Sequence, residues 1–278
     1  MFQGRRLLIA TKHQKQKVIA PILEKELGVV CVVLPELDTD KLGTFTGEVN
    51  RKDNPIATAR NKCLMAMELA DIDLAIASEG SFGVHPSLFF VHADDEILLF
   101  IDKKNGLEII VREISTNTNF NRATITNPKD FESFVNVVGF PSHGVILRKS
   151  EHDFTDIEKG ISDWNRLWQT YHYFMKQYGS VYVETDMRAM YNPTRMTVIE
   201  SATQKLVSKI GSYCPACGTP GFGITDIEEG LPCQLCQLPT RSILSHIYTC
   251  QKCFYSNNVK YPNNRFFEDP MYCDTSNP

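Results

Sequence analysis

Two groups of residues in this chain have the types and spacing to do chemistry. The first is a set of thiols. Cys214 and Cys217, Cys233 and Cys236, and Cys250 and Cys253 form three Cys-x-x-Cys pairs, and Cys273 follows them, so seven of the nine cysteines lie beyond residue 213. A two-residue spacer lets both thiolates and nearby backbone N–H groups wrap one ion. Structural zinc takes four such ligands in a tetrahedron. Seven thiols fill one site and leave three, so one Zn2+ is expected. A second site would hold three thiolates with His246, Asp274, Ser276 or water. The first two pairs are spaced close to a C-x2-C-x15-C-x2-C pattern. The second and third suit a ribbon, because Ile243–Tyr248 reads as a strand feeding the last pair. The pairing stays open at this level.

The second group is polar and lies in the N-terminal half. Asp73–Gly83 reads Asp-Leu-Ala-Ile-Ala-Ser-Glu-Gly-Ser-Phe-Gly. Its apolar run, Leu74–Ala77, predicts a buried strand that gives way to Ser78, Glu79 and Gly80. Ligands of open α/β sheets collect at the carboxyl ends of strands, and glycine there lets a ligand approach the backbone. Thr11, Lys12, His13, Lys15 and Lys17 precede or open a helix. Cations at that end oppose the helix dipole, a conflict that a bound anion would remove; the plain alternative is a solvated basic turn. Arg60 and Lys62 sit near the start of another helix. A third polar set, Glu184, Asp186, Arg188, Asn192 and Arg195, marks a strand-to-helix junction, with ion pairing as its structural alternative. A carboxylate such as Glu79, joined by Asp38, Asp40 or Asp186, is the donor set that Mg2+ prefers. Lys12, Lys15, Arg60 and Arg195 would balance phosphoryl charge, and His13 titrates in the range useful for proton transfer.

The elements that must position these residues follow from periodicity and punctuation. Arg6–Ala10 and Val29–Leu34 read as strands. A helix covers Val18–Leu27, beginning near Pro21 or kinked there. Pro35–Asn54 is a long polar connection with a short strand at Thr44–Thr46. Asn54-Pro55 starts a helix that buries Ile56, Ala59, Cys63, Ala66 and Met67. Leu88–His92 and Ile97–Ile101 read as hairpin partners turning at Asp94-Asp95, and Asn105-Gly106 as a tight turn into Leu107–Ile114. Asn127-Pro128 starts a further helix, Gly144–Leu147 a strand, and Thr155–Tyr178 a long aromatic helix. Ser180–Asp186 alternates as a strand and Thr197–Ile210 as a helix. The expected fold is α/β: a mixed central sheet flanked by helices over residues 1–211, then a small zinc-ribbon-like module over 212–278.

Composition narrows the function classes. The chain has 278 residues, 42% of them hydrophobic, and a net charge of −4. That charge gives no general attraction to nucleic acid or anionic lipid. Beyond Cys214 four basic residues face six acidic ones, which weakens a nucleic-acid role for the module. No apolar run reaches the roughly 18 residues of a membrane span. Met-Phe-Gln-Gly-Arg-Arg leads into too few apolar residues for a secretory signal, so a cytoplasmic location is expected, and with it metal-bound rather than disulfide-bonded cysteines. A homodimer is compatible with the sequence.

The order of these features resembles the inosine/xanthosine triphosphatase superfamily over roughly residues 6–120. The likeness is carried by Ala10-Thr11 with its lysines, Ala59-Arg60-Asn61-Lys62 on a helix, and Ala77-Ser78-Glu79-Gly80. The resemblance implies metal-dependent pyrophosphohydrolysis of nucleoside triphosphates, or of a related small phosphate. It implies phosphate binding at Thr11–Lys17, a metal carboxylate at Glu79 and substrate contacts from Arg60 and Lys62. The remaining carboxylates would come from Asp38, Asp40, Glu48, Glu184 or Asp186. With its cysteine cluster the whole chain resembles an uncharacterised bacterial family, for which a non-catalytic nucleotide sensor is the competing expectation.

Overall fold

A computed structural model describes residues 1–34 and 54–277. Asp38, Asp40, Glu48 and the expected strand at Thr44–Thr46 lie outside the described residues. The chain divides into two compact units, Met1–Leu206 and Val207–Pro278. The architecture is mixed α/β, with five α-helices and three sheets among the described residues.

The first sheet of unit one has the order β2-β1-β3-β4-β5. β1 (Arg6–Ala10), β2 (Val30–Val32) and β3 (Leu74–Val84) run parallel; β4 (His92–Asp102) and β5 (Leu107–Ser115) continue it antiparallel. One face packs α2 (Pro55–Ala70), burying Ala59, Cys63, Ala66 and Met67 against Leu8, Ala10, Ala75, Ala77 and Leu99. Alternation puts Leu7, Ile9, Ile76, Leu98 and Phe100 on the other face, all buried. Asn54 caps α2 by accepting from Ala57 N at 2.9 Å, with Pro55 in the first turn.

The second sheet of this unit, β6-β9-β7-β8, joins Arg122–Ile125, Val181–Thr185, Val145–Ser150 and Asp153–Ile161 in antiparallel pairs. Its core face packs α3 (Pro128–Val137) and α4 (Trp164–Tyr178), with Phe131 stacked on Tyr171 at 4.3 Å and Phe174 beside Val181 and Val183. α5 (Pro193–Ile210) follows β9.

Four expectations are corrected. β3 does not end at Ala77 but runs on to Val84, because Ser78–Val84 pairs residue for residue with His92–Leu98. Asp94-Asp95 is therefore strand, and Leu88–Phe90 falls in the connection. Thr155–Ile161 is a strand, with Gly160 in the left-handed region at φ +66°. α4 begins only after Asp163, whose side chain caps it at 2.9 Å. α1 (Gln16–Leu27) starts ahead of Pro21, which sits exposed within it.

The second unit holds a three-stranded antiparallel sheet, β10 (Ile224–Glu229), β11 (Ile243–Thr249) and β12 (Ser256–Lys260), with β11 in the centre. Few aliphatic side chains are buried there: Leu231 and the thiols Cys214, Cys233, Cys250 and Cys273 carry most of its interior. A segment so poor in apolar core needs another source of stability.

Candidate functional site

β1 pairs with β3 only as far as Ala10 against Ala77. Beyond that point β3 continues, and the chain leaving β1 turns through Thr11–Lys15 into α1. Lys15, 5% exposed, donates from Nζ to Ser78 Oγ at 2.7 Å and lies 3.9 Å from Glu96 Oε2. Glu96, 0% exposed, accepts from Arg195 Nε at 2.5 Å. The Arg195 guanidinium also donates to the Met187 carbonyl and lies 5.0 Å over the Phe82 ring. Asp94, two residues before Glu96 on the same strand face, is equally buried, and its Oδ1 meets no hydrogen-bond donor among the described residues.

The reverse face of β3 at the same level carries Glu79, buried and ion-paired with Lys62 from α2. Lys15 stands where the two faces meet. Burial, then the Arg195 charge, lowers its ammonium to about 8 against the pull of Glu96 and Glu79. Burial and the neighbouring Glu96 push the Asp94 carboxyl up to about 8. Three carboxylates and three cations are thus buried across the two faces of the paired strands β3 and β4, where desolvation is costly unless each charge is matched.

Glycine at position 80 is a steric requirement. A Cβ there would lie 2.3 Å from Glu96 Oε1 and 2.6 Å from Arg195 Nη2. The buried ion pair rests directly on the bare backbone of β3. Arg195 is delivered by the start of α5, where Asn192 Oδ1 accepts from Arg195 N at 2.9 Å and Pro193 follows.

The remaining sequence candidates take separate places. Thr11 is buried and its Oγ1 accepts from His13 N at 3.4 Å; Lys12 is exposed and His13 half-buried. Arg60 forms a two-pronged pair with Glu108 on β5, 2.9 and 2.5 Å. Asp186 accepts from Gly160 N at 3.1 Å and from Arg188 N and Nε at 3.1 and 2.9 Å. It fixes the turn whose next residue, Met187, receives Arg195. Glu184 pairs with Arg148 at 3.1 Å on the second sheet. The structure therefore gathers Lys15, Ser78, Gly80 and Arg195, sets Glu79 and Lys62 on the reverse face, and ties Asp186 and Arg188 to each other. Asp94 and Glu96 escaped the sequence reading because two adjacent aspartates looked like a turn. The signal that could have found them is an unbroken acidic run, Asp94-Asp95-Glu96, abutting the strand Ile97–Ile101.

In the second unit the three Cys-x-x-Cys segments fold into equal turns. The N–H after each pair donates back to the carbonyl of its first cysteine, from Gly218, Gln237 and Phe254 at 2.8, 3.0 and 3.0 Å. Those three residues are all left-handed, at φ +69°, +61° and +59°. The seven thiols collect in two clusters, Cys214/Cys217/Cys250/Cys253 and Cys233/Cys236/Cys273. The first pair thus joins the third, and the second joins Cys273, which corrects both pairings that spacing suggested, first with second and second with third. The Sγ–Sγ separations are 3.7 Å (Cys214–Cys253), 3.6 Å (Cys217–Cys250) and 3.6 Å (Cys236–Cys273). A tetrahedral ion with thiolates at about 2.3 Å sets edges of about 3.8 Å, whereas a disulfide needs about 2.0 Å. Both clusters could therefore hold a metal ion.

No helix among the described residues is long and apolar enough to cross a membrane. No curated protein matches the sequence. The model of a family described as a domain of unknown function (DUF6671) matches residues 62–278, which takes in β3, β4, α5 and every cysteine of both clusters, and the chain belongs to that family.

Proposed function

We propose that the first unit is a metal-dependent phosphohydrolase of nucleoside triphosphates or a related small phosphate, and that the second is a zinc-stapled structural module. The observation that carries the first part is the crowd of buried charges at the end of β1: Glu79, Asp94 and Glu96 with Lys15, Lys62 and Arg195. Evolution of a plain core would favour apolar side chains there, since burying ions costs more than it returns. The inosine/xanthosine triphosphatase resemblance of Thr11–Lys15, Ala59–Lys62 and Ser78–Gly80 points the same way.

In this reading Asp94, whose Oδ1 meets no donor among the described residues, is the carboxylate that fits Mg2+ on the face shared with Lys15 and Arg195. Such an ion takes one or two carboxylates and completes its shell with phosphate oxygens and water. Glu79, on the reverse face with Lys62, acts on this site through Lys15. When bound, the ion supplies Lewis acidity and a water of lowered pKa. The chain's own residues do the rest. Lys15 and Arg195 stabilise charge gathering on the phosphoryl oxygens. Gly80 makes room for the Glu96–Arg195 pair against β3. Ser78 fixes the Lys15 ammonium in place, and Asp186, through the Met187 turn, keeps Arg195 aimed.

The test is a panel of nucleoside triphosphates with Mg2+, read for phosphate and pyrophosphate release. Turnover by the wild type, lost in Asp94→Asn and weakened in Glu79→Gln, supports the hydrolase. Glu79 and Glu96 already hold cationic partners, an arrangement that also suits a nucleotide sensor without chemistry. Tight nucleotide binding with no release across the panel would replace the hydrolase by that sensor.

A further inference from the structure

The second thiol cluster has three cysteines where the first has four, and the question is what fills the fourth position. His246 and Asp274 do not join it: neither belongs to the cluster, His246 sits in mid-strand on β11 opposite Val259, and Asp274 faces Arg241 at 2.9 Å. Ser276 does come close. Its Oγ lies 3.4 Å from Cys233 Sγ, and its N–H donates to Cys273 Sγ at 3.4 Å.

The sequence around it has the knuckle spacing. Cys273-Asp-Thr-Ser276 is Cys-x-x-Ser, with serine standing where the other three segments have their second cysteine. The same backbone hydrogen bond closes it. Asn277 N donates to Cys273 O at 2.8 Å, as Gly218, Gln237 and Phe254 donate to Cys214, Cys233 and Cys250. The distances also fit one polyhedron. A tetrahedral ion with Zn–S of about 2.3 Å and Zn–O of about 2.0 Å sets an O–S edge of about 3.5 Å, against the observed 3.4 Å, and the Cys236–Cys273 edge is 3.6 Å.

Resting on the zinc reading above, we propose that Cys273–Ser276 is a fourth knuckle and that the Ser276 hydroxyl is the fourth ligand of the second centre. The first centre is then an all-thiolate site and the second a three-thiolate, one-oxygen site. A neutral or weakly acidic hydroxyl is a poorer zinc donor than a thiolate, and water can take its place without rebuilding the turn. The two centres differ in lability by construction: the ion held by Cys233, Cys236, Cys273 and Ser276 exchanges first.

The experiment uses the full chain loaded with Zn2+ and, in parallel, with Co2+. A chromophoric chelator is added in increasing excess and metal release is followed. The wild type should bind two equivalents and release them in two phases. Ser276→Ala should weaken the labile phase by about tenfold or more, the scale of losing a supporting ligand contact, and leave the slow phase untouched. Ser276→Cys should merge the two phases. In the Co2+ form it should add one sulfur-to-metal bond to the seven of the wild type, read as a stronger near-ultraviolet band. The slow phase is the internal control for folding in each variant. Two equivalents whose release and spectra do not respond to position 276 overturn the serine's role. One equivalent, whatever stands at 276, shows that the three-thiol cluster is no metal centre. No bound metal in either centre fails the underlying zinc reading instead.

Discussion

Replacing Gly80 with alanine adds one carbon at the point where β3 carries the Glu96–Arg195 pair. Gly80 has ordinary extended backbone, so no left-handed strain enters, and alanine is no worse than glycine in a strand. The cost comes from the contact: the new Cβ would lie 2.3 Å from Glu96 Oε1, 2.8 Å from its Cδ and 2.6 Å from Arg195 Nη2. Both partners are fully buried and held at their far ends, Arg195 by the Met187 carbonyl and by its α5 backbone. They cannot retreat into water. Overpacking costs about 1–3 kcal/mol and breaking a buried pair about 3–5 kcal/mol, so a loss on the order of 3 kcal/mol is expected. For a unit of this size that lowers Tm by roughly 6–12 °C. Gly83 supplies the control. It lies on the same strand with nothing within 4 Å of its would-be Cβ, so Gly83→Ala should stay within about 0.5 kcal/mol of wild type. The assay is thermal unfolding of the metal-saturated chain, followed by circular dichroism. Shortening the acid in Gly80→Ala/Glu96→Asp should recover part of the loss, a coupling that additive effects would not give. Equal melting of the Gly80→Ala and Gly83→Ala proteins would refute the packing of the ion pair on the strand.

Three further outcomes follow from the same geometry. Asp94 has a carboxyl raised to about 8 by burial and Glu96. The folded state therefore holds a proton that the unfolded chain has released, and stability falls as pH rises from about 4 to 8; Asp94→Asn removes that slope, so in Mg2+-free buffer its unfolding free energy relative to wild type should rise by up to ~1.4 kcal/mol per pH unit, and a gap in denaturant unfolding that is flat or narrows with pH sinks the argument. Arg195→Met removes the short partner of buried Glu96, leaving Lys15 at 3.9 Å, and should cost about 3–5 kcal/mol in denaturant unfolding; a loss under about 1 kcal/mol would mean that Lys15 and other groups satisfy Glu96. On the proposed zinc reading, chelation should abolish hydrogen-exchange protection of β11, and restoring zinc should return it; protection unchanged in chelator would show that the strand stands without metal.

How much of this was legible in the sequence depends on what made each signal local. Asn54-Pro55, Asn127-Pro128 and Asn105-Gly106 each specify their turn or cap through adjacent side chains, and each lies where expected. The cysteine knuckles were legible for the same reason. Which knuckles pair was not, because pairing is decided by how β10, β11 and β12 fold back, a long-range matter. The length of β3 was misjudged because Ser78, Gly80, Ser81 and Gly83 look like loop residues. They are strand residues because β4 pairs with them and because Lys15, Glu96 and Arg195 need small side chains opposite. Glu79 is visible in sequence, but its face is not: a strand residue's side is set by register, and here register places it with Lys62 and α2. Arg195 was named, while its partner Glu96, ninety-nine residues away, was not.

The ligands of the two thiol clusters alternate along the chain. The first ring spans Cys214 to Cys253 and the second Cys233 to Cys273, and the stretch common to both contains β11, the middle strand of its sheet. Neither ring can be opened without loosening an anchor of the strand that lies inside the other. The two ions should therefore enter as partners: whichever binds first shortens the search the second set of thiols must make, since the entropy of closing a loop falls with the chain left free. The all-thiolate centre should fill first during loading, as its ion is the last to leave, and the one-ion species should be the common intermediate of metal uptake and metal loss.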